Sequence, residues 1–313
     1  MSEQANVAYG GQAVIEGVMF QGRRVNVTAV RRKNNDISFY EVPRTEIKWL
    51  SVLKKIPFIR GLVGIIESSA KGAQHLNFAA EQYAEDEEGP VDPQAEKKKT
   101  WDLSMILGVA VVGILSFIVG KVIFTAGPAM IEQLLFGKLF DNRVVHTIIE
   151  GVIKIVILIG YLWVISMTPI IKRLFQYHGA EHKVISTYEA GEELTVENVQ
   201  KHTRLHYRCG SSFIILTVII GVIIYSFVPY DGLWDRVLGR LIMLPVVIGV
   251  SYEFLKFTNA LRDVPVLRFL GYPGLWLQLL TTKEPTDDQV EVSIASFNRM
   301  LELDKELKVK MAS

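Results

Sequence analysis

The sequence predicts an α-helical multi-pass membrane protein of about four transmembrane helices. A small N-terminal cytoplasmic α+β region with a β-hairpin and a C-terminal amphipathic helix complete it. Three observations carry this. Half of the 313 residues are hydrophobic and mean hydropathy is +0.26, yet 21% are charged, so the apolar residues are gathered in blocks. Those blocks approach the ~20 helical residues that a bilayer core requires. Lys and Arg cluster on one side of them.

The same arithmetic excludes classes. Intrinsic disorder and collagen do not have this composition. A net charge of +1 gives no polycation, so no specific nucleic-acid partner is expected. The single cysteine, Cys209, excludes a disulfide framework and a Cys₄ zinc module within one chain.

Residues 1–80 read as the N-terminal cytoplasmic region. Residues 25–32 and 37–42 alternate as strands around Asn34-Asn35-Asp36 and predict a hairpin. Upstream, Gly10-Gly11-Gln-Ala-Val-Ile-Glu16-Gly17-Val-Met19 suggests close backbone approach or a bulge. No Gly-Lys-Ser/Thr follows, so it is not a P-loop. Glu16 stands between apolar residues, which marks it as more than a surface charge. Residues 48–80 are apolar but broken by Pro57, Gly61, Gly64 and Gly72, with Lys54, Lys55 and Arg60 on a basic side. They read as an interfacial helix, a shallow re-entrant element or an ordinary core helix.

Residues 81–96 hold seven acids and no base, with Pro90 and Pro93. Segment 81–100 therefore reads as a solvated acidic linker. The first apolar block begins only after residue 100, so no signal peptide is expected and the N-terminal region is retained.

The membrane domain spans 101–256. Block 103–120 is uncharged over 18 residues, and block 209–230 over 22. Block 151–171 carries only Lys154. Block 237–255 contains Arg240, Pro245 and Glu253. Trp101 and Trp163 sit near span ends as interfacial anchors. Loop 172–208 holds Lys172, Arg173, Lys183, Lys201, Arg204 and Arg208, and the flanks of the first and fourth blocks add more. The other side has Lys138, Arg143, Arg236 and Arg240. Both termini and loop 172–208 are therefore expected to be cytoplasmic, in the cell membrane. The C-terminal region, 257–313, starts with a broken apolar stretch at 272–278 expected to lie along a surface. Thr286-Asp-Asp-Gln289 forms a capping box. It opens an amphipathic helix through Val290, Val292, Ile294, Phe297 and Leu301.

Four of the six histidines and the only cysteine fall within 178–209. In Tyr177-His178-Gly-Ala-Glu181-His182-Lys183, a helix puts His178 and His182 one turn apart on one face. Two imidazoles so placed bind one metal ion, and Glu181 beside them serves as ligand or as base for water. The H-x-x-E-H spacing matches inverted zinc peptidases. His202 and His206 repeat the i, i+4 spacing on a helix that Thr195 would cap, with Cys209 one turn on. His202, between Lys201 and Thr203, reads as solvated. The candidate metal ligands are His178, His182, His206 and Cys209, and Glu181 is the candidate catalytic base. His/Cys ligation favours zinc or another transition ion. Arg204, Arg208 and Lys183 would neutralise a substrate anion or serve only as inside-facing topology signals. His75 and His146 have no cluster.

These residues resemble the YqhQ-like family of uncharacterised bacterial multi-pass membrane proteins. The resemblance rests on the 10–19 block, the 177–183 block, Leu194-Thr-Val-Glu-Asn-Val199, His206-Tyr-Arg-Cys-Gly-Ser-Ser-Phe213, Pro273-Gly-Leu-Trp-Leu-Gln278 and Leu280-Thr-Thr-Lys-Glu-Pro285. It covers almost the whole chain. The family's general label, predicted metal-dependent enzyme, implies a metal at His178, Glu181, His182, His206 and Cys209. The chain departs where the family usually has Arg-Gly-Pro (here Phe20-Gln-Gly-Arg23), proline (Tyr207) and threonine (Ser211). No candidate ligand is lost.

Three functions remain open. The first is a membrane enzyme, a metal-dependent hydrolase of amides, esters or phosphoesters at the membrane surface. The second is a non-enzymatic membrane scaffold or protein-assembly factor that binds protein partners, any metal being structural. The third is a transporter, disfavoured by few spans and little charge at mid-depth. The bilayer is the one partner expected in every case, and oligomeric state is open.

Overall fold

In a computed structural model, residues 9–44, 48–88, 120 and 122–310 are described. The chain is mostly helical, with a four-stranded antiparallel sheet near the N-terminus. The expected span at 103–120, Trp101 and most of the linker lie outside the described residues.

The strands β1 (Gly10–Val14), β2 (Gly17–Gln21), β3 (Val25–Arg31) and β4 (Ile37–Pro43) pair in chain order. The β3–β4 hairpin forms in the expected place. Arg31 faces Ile37, Asn34 Oδ1 accepts the Asp36 N–H at 3.0 Å, and Asn35 takes φ 70°. The glycine block is a second hairpin rather than a bulge, with Val14 opposite Gly17 across a two-residue turn. Glu16 turns the chain at φ 53°. A Cβ on Gly17 would run into the Ala29 carbonyl of β3.

The sheet is covered on both sides, which is why β3 is buried from Val25 to Val30. Alternate residues point to opposite faces. Phe20, Val27 and Ala29 pack against α5 (Pro169–Ala190) and α10 (Asp287–Lys310), which contribute Tyr177, Val184, Phe297 and Met300. Val14 and Val30 face Ala79 of α2 (Ile59–Glu88). On that face Thr28 meets His75 at 2.6 Å.

The amphipathic C-terminal helix is therefore part of the N-terminal core. Its entry shows the capping contact, with the Gln289 side chain accepting the Thr286 N–H at 3.0 Å. Ser296 Oγ donates within reach of the Val18 and Val27 carbonyls, and Asp304 accepts the Arg23 and Arg24 N–H groups.

Segment 48–80 contains α1 (Lys48–Leu53) and the start of α2. α2 continues to Glu88, so the first part of the acidic segment is helical instead of linker. Its acids are anchored by the β3–β4 turn, where Arg32 pairs with Glu85 and Asp86.

Among the described residues, two helices are long and apolar enough to cross a membrane, α4 (Arg143–Ile165) and α8 (Leu233–Ala260). They replace the expected blocks 151–171 and 237–255. α4 starts earlier because Asn142 caps it, its Oδ1 accepting the Val144 N–H at 2.8 Å. It stops at Ile165, and Pro169 opens α5 after a short turn. Proline fits the first turn of a new helix and not the middle of an old one. The expected span at 209–230 is α7 (Gly210–Tyr225), 16 residues, shorter than the ~20 a core crossing uses. A short helix, α3 (Gly127–Phe136), packs on α4. The stretch at 272–278 is not a loose surface segment. It forms α9 (Tyr272–Thr281), whose Leu277 joins Ile215 and Val218 of α7 and Leu158 and Leu162 of α4.

His146 is not isolated. It bonds Glu132 of α3, and Arg236 joins Glu132 at 2.5 Å and Glu150 at 2.6 Å. Arg240 shares Glu150. This buried network ties α3, α4 and α8 together. It was invisible in sequence because its members lie on three separate helices.

Candidate metal centre

His178, Glu181 and His182 lie on α5, and Cys209 caps α7. The helical spacing brings the two imidazoles together, with ring centroids 4.5 Å apart. Gly179 has a packing reason within that helix. A Cβ there would run into the Lys283 carbonyl, where segment 282–285 crosses α5, and Lys283 N–H bonds the Phe175 carbonyl at 2.8 Å.

Each imidazole is fixed by its Nδ1. His178 Nδ1 lies 2.8 Å from the Thr281 carbonyl, and His182 Nδ1 lies 2.6 Å from the Arg204 carbonyl. A carbonyl only accepts, so both Nδ1 atoms carry hydrogen, which leaves Nε2 as the atom of each ring that can serve as a ligand once it is deprotonated. This is how a protein sets tautomer and ring orientation for a metal ligand. His178 Nε2 faces Cys209 Sγ at 3.2 Å. The ligand atoms offered by His178, His182 and Cys209 all lie within 4.8 Å of one another.

His206 joins this group less closely. Its ring is 5.6 Å from that of His182. Its backbone is held by Gln278 of α9, which accepts the His206 N–H and donates to the His206 carbonyl, each at 2.8 Å. The expected helix through His202 and His206 does not form. Thr195 caps α6 (Val196–Lys201) as predicted, but α6 ends at Lys201. His202 then reaches Glu192 at 3.3 Å, while His206 turns to the cavity.

That cavity, about 310 Å³, is lined by His178, Glu181, His182, His206, Cys209 and Arg208. The β1 residues Gly10, Gly11 and Gln12 form a further wall. The glycine block thus serves the site. A Cβ on Gly11 would come within 3.0 Å of Glu181 Cδ. Glu16, in the β1–β2 turn, pairs with Arg173 and lies 3.3 Å from the Tyr177 hydroxyl, so it fastens this wall to α5.

The electrostatics favour a charged pair within a buried site. Burial opposes charge on His178, but the Cys209 thiolate and Glu181 outweigh it and push the imidazole up to about 9. Burial also opposes the Cys209 thiolate. His178 and His182 overcome that and hold its thiol well below the ordinary range. Burial pushes the Glu181 carboxyl up, against the pull of both imidazoles. Burial, then repulsion from His182, pushes His206 down to about 4 and keeps it neutral.

The neighbouring cations are mostly engaged elsewhere. Lys183 is buried, donating to the Gln200 carbonyl and pairing with Glu284 at 2.9 Å. Arg204 also takes Glu284, at 3.0 Å. Only Arg208 lines the cavity, with Glu189 as its partner. The Thr281 and Arg204 carbonyls were not legible as site components, because backbone acceptors leave no chemical signature in a sequence.

Comparison with known proteins agrees with the sequence blocks. The family model described as "Protein of unknown function (DUF1385)" matches residues 56–303. A protein of Bacillus subtilis (strain 168) called "Uncharacterized protein YqhQ" is 53% identical over 297 residues, covering 95% of this chain and 93% of the relative. No solved structure matches. On both the matched length and the identity, the chain belongs to the DUF1385 family, the YqhQ-like proteins.

Proposed function

We propose that this chain is an integral membrane protein whose cytoplasm-facing cavity takes one divalent transition ion and hydrolyses an amide, ester or phosphoester at the membrane surface. The observation that carries the reading is the convergence of His178 Nε2, His182 Nε2 and Cys209 Sγ, with both Nδ1 atoms tied to backbone carbonyls. Nitrogen and sulfur donors favour zinc over magnesium or calcium. His206, neutral and on the same cavity, is the next donor in reach.

When bound, such an ion polarises an oxygen of the substrate and acidifies water. The chain's own groups do the rest. Glu181, buried with a raised carboxyl pKa, accepts a proton and returns it to the leaving group. Arg208 offers charge to an anionic part of the substrate. Gly11 and Gln12 wall one side of the cavity.

The membrane part rests on α4 and α8. Val156, Trp163, Leu238 and Ile242 are exposed along them, and a row of that kind calls for an apolar solvent. The scaffold reading draws no support from α10, whose apolar face is taken up by the sheet.

The test is metal content by mass spectrometry on detergent-purified full chain. About one equivalent of zinc is expected in the parent and in Glu181→Gln, with loss in His182→Ala. No bound metal after zinc reconstitution of the parent would sink the reading.

A further inference from the structure

A second cavity lies away from the metal centre, between the sheet and the C-terminal end of α8. Its volume is about 270 Å³. Arg44, Lys54, Arg60, Lys71 and Lys256 line it, and Glu67 is the one carboxylate among the described lining residues. Glu67 is shared by Lys54 and by Lys71, the latter at 2.6 Å. Arg60 is held by Glu253. Lys256 is exposed at the mouth. Among the described residues, the cations therefore exceed the carboxylates that face them.

The cavity is built by a tight junction. Phe58 takes φ 66° and gives its N–H to Glu253 at 3.1 Å. Gly249 of α8 makes room for this turn, because a Cβ there would stand 2.8 Å from the Phe58 carbonyl oxygen. Gly61 lies against Tyr252 in the same way. The α1–α2 turn is thus pinned to α8 near its end.

Beside the basic cavity, this junction leaves apolar side chains uncovered. Trp49 is 64% exposed and Val52 58%, on one face of α1. Ile56, Phe58 and Ile59 continue the patch through the turn. Cations with apolar and tryptophan neighbours at the end of a spanning helix match a headgroup layer. Anionic lipid attracts such cations.

We propose that this cavity binds the phosphate group of an anionic phospholipid in the cytoplasmic leaflet, with α1 lying in the interface over the acyl chains. The proposal rests on the membrane reading above and is independent of the metal chemistry. Lys54, Lys71 and Lys256 supply the charge, and Arg60 is oriented by Glu253. Trp49 and Val52 supply the contact that free phosphate lacks.

The test is native mass spectrometry of the full chain in detergent, given equimolar phosphatidylglycerol and phosphatidylcholine. At least a five-fold preference for phosphatidylglycerol is expected, falling to near parity in Lys54→Gln/Lys256→Gln. Glu67→Gln removes the competing carboxylate and is expected to raise the preference, an effect that misfolding would not produce. Equal retention of both lipids by the parent would overturn the proposal. So would displacement of phosphatidylglycerol by an equal concentration of inorganic phosphate, which would make the site one for free phosphate. Alkaline extraction of cell membranes tests the underlying reading separately. Recovery of the chain in the supernatant would overturn the membrane assignment itself.

Discussion

Gly11 of β1 lies directly against Glu181 of α5. A Cβ on Gly11 would stand 3.0 Å from Glu181 Cδ and 2.5 Å from the Met19 carbonyl oxygen. Gly10 beside it has nothing within 4 Å. The two glycines thus make a matched pair. Gly11→Ala is expected to displace the Glu181 carboxyl and to cost roughly 1–3 kcal/mol, as overpacking does. Gly10→Ala is expected to leave stability within about 0.5 kcal/mol of the parent. Thermal melts of the two variants check this. Equal melting temperatures would mean that β1 yields and that Gly11 does not set the position of Glu181.

Zinc loading is expected to release a proton. Below about 9 the His178 imidazole carries one, opposite the Cys209 thiolate. An ion on His178 Nε2 must displace it, so about one proton per ion should appear at neutral pH. Titration in buffers of different ionisation enthalpy measures this. Proton-neutral binding by the parent would place the ion elsewhere.

His75 of α2, packed against the sheet, makes a separate prediction. Burial pushes its imidazole down to about 4. The unfolded chain holds the same group near about 6.5. The unfolded state therefore takes up the proton first. The stability from a neutral His75 is present in full above about 6.5 and falls as pH drops from there toward 4. The loss is of order 3 kcal/mol at most. His75→Gln should flatten the pH dependence of the melting temperature across that window. An unchanged slope would mean that other groups govern acid unfolding.

Particular residues show what was legible in the sequence. His178 and His182 announced themselves, because a 3.6-residue period alone decides that they share a face. Asn34, Asn35 and Asp36 announced the β3–β4 turn by local chemistry. His202 and His206 misled for the opposite reason. Their spacing fits a helix, but the Arg204 carbonyl is needed at His182 Nδ1, and the chain leaves helix at Lys201 to supply it. Glu132, His146, Glu150 and Arg236 were each ordinary in sequence. Only the packing of α3, α4 and α8 makes them one network.

That network is expected to be costly to break on one side. Arg236 is buried between Glu132 and Glu150. Arg236→Met leaves the two carboxylates facing each other without it, and removal of one partner of a buried pair costs roughly 3–5 kcal/mol. Adding Glu132→Gln should restore part of the loss. Chemical denaturation in detergent of the single and double variants measures both. Additive losses would mean that the groups do not act together.

The C-terminal helix offers the sharpest separation of a structural from a recruiting role. Phe297 is fully buried and packs edge-on against Tyr9, Phe20 and Tyr188. Phe297→Ala is expected to cost about 3–5 kcal/mol, the range for a large core aromatic. Because β2 and β3 also lose their cover, β1–β4 should become protease-sensitive together. α5 shares that core through Tyr177 and Val184, so the metal ligands should loosen as well. Limited proteolysis of the purified variant, with zinc content measured beside it, checks both. If α10 were instead a free partner-binding arm, Phe297→Ala would leave the sheet resistant and the zinc in place.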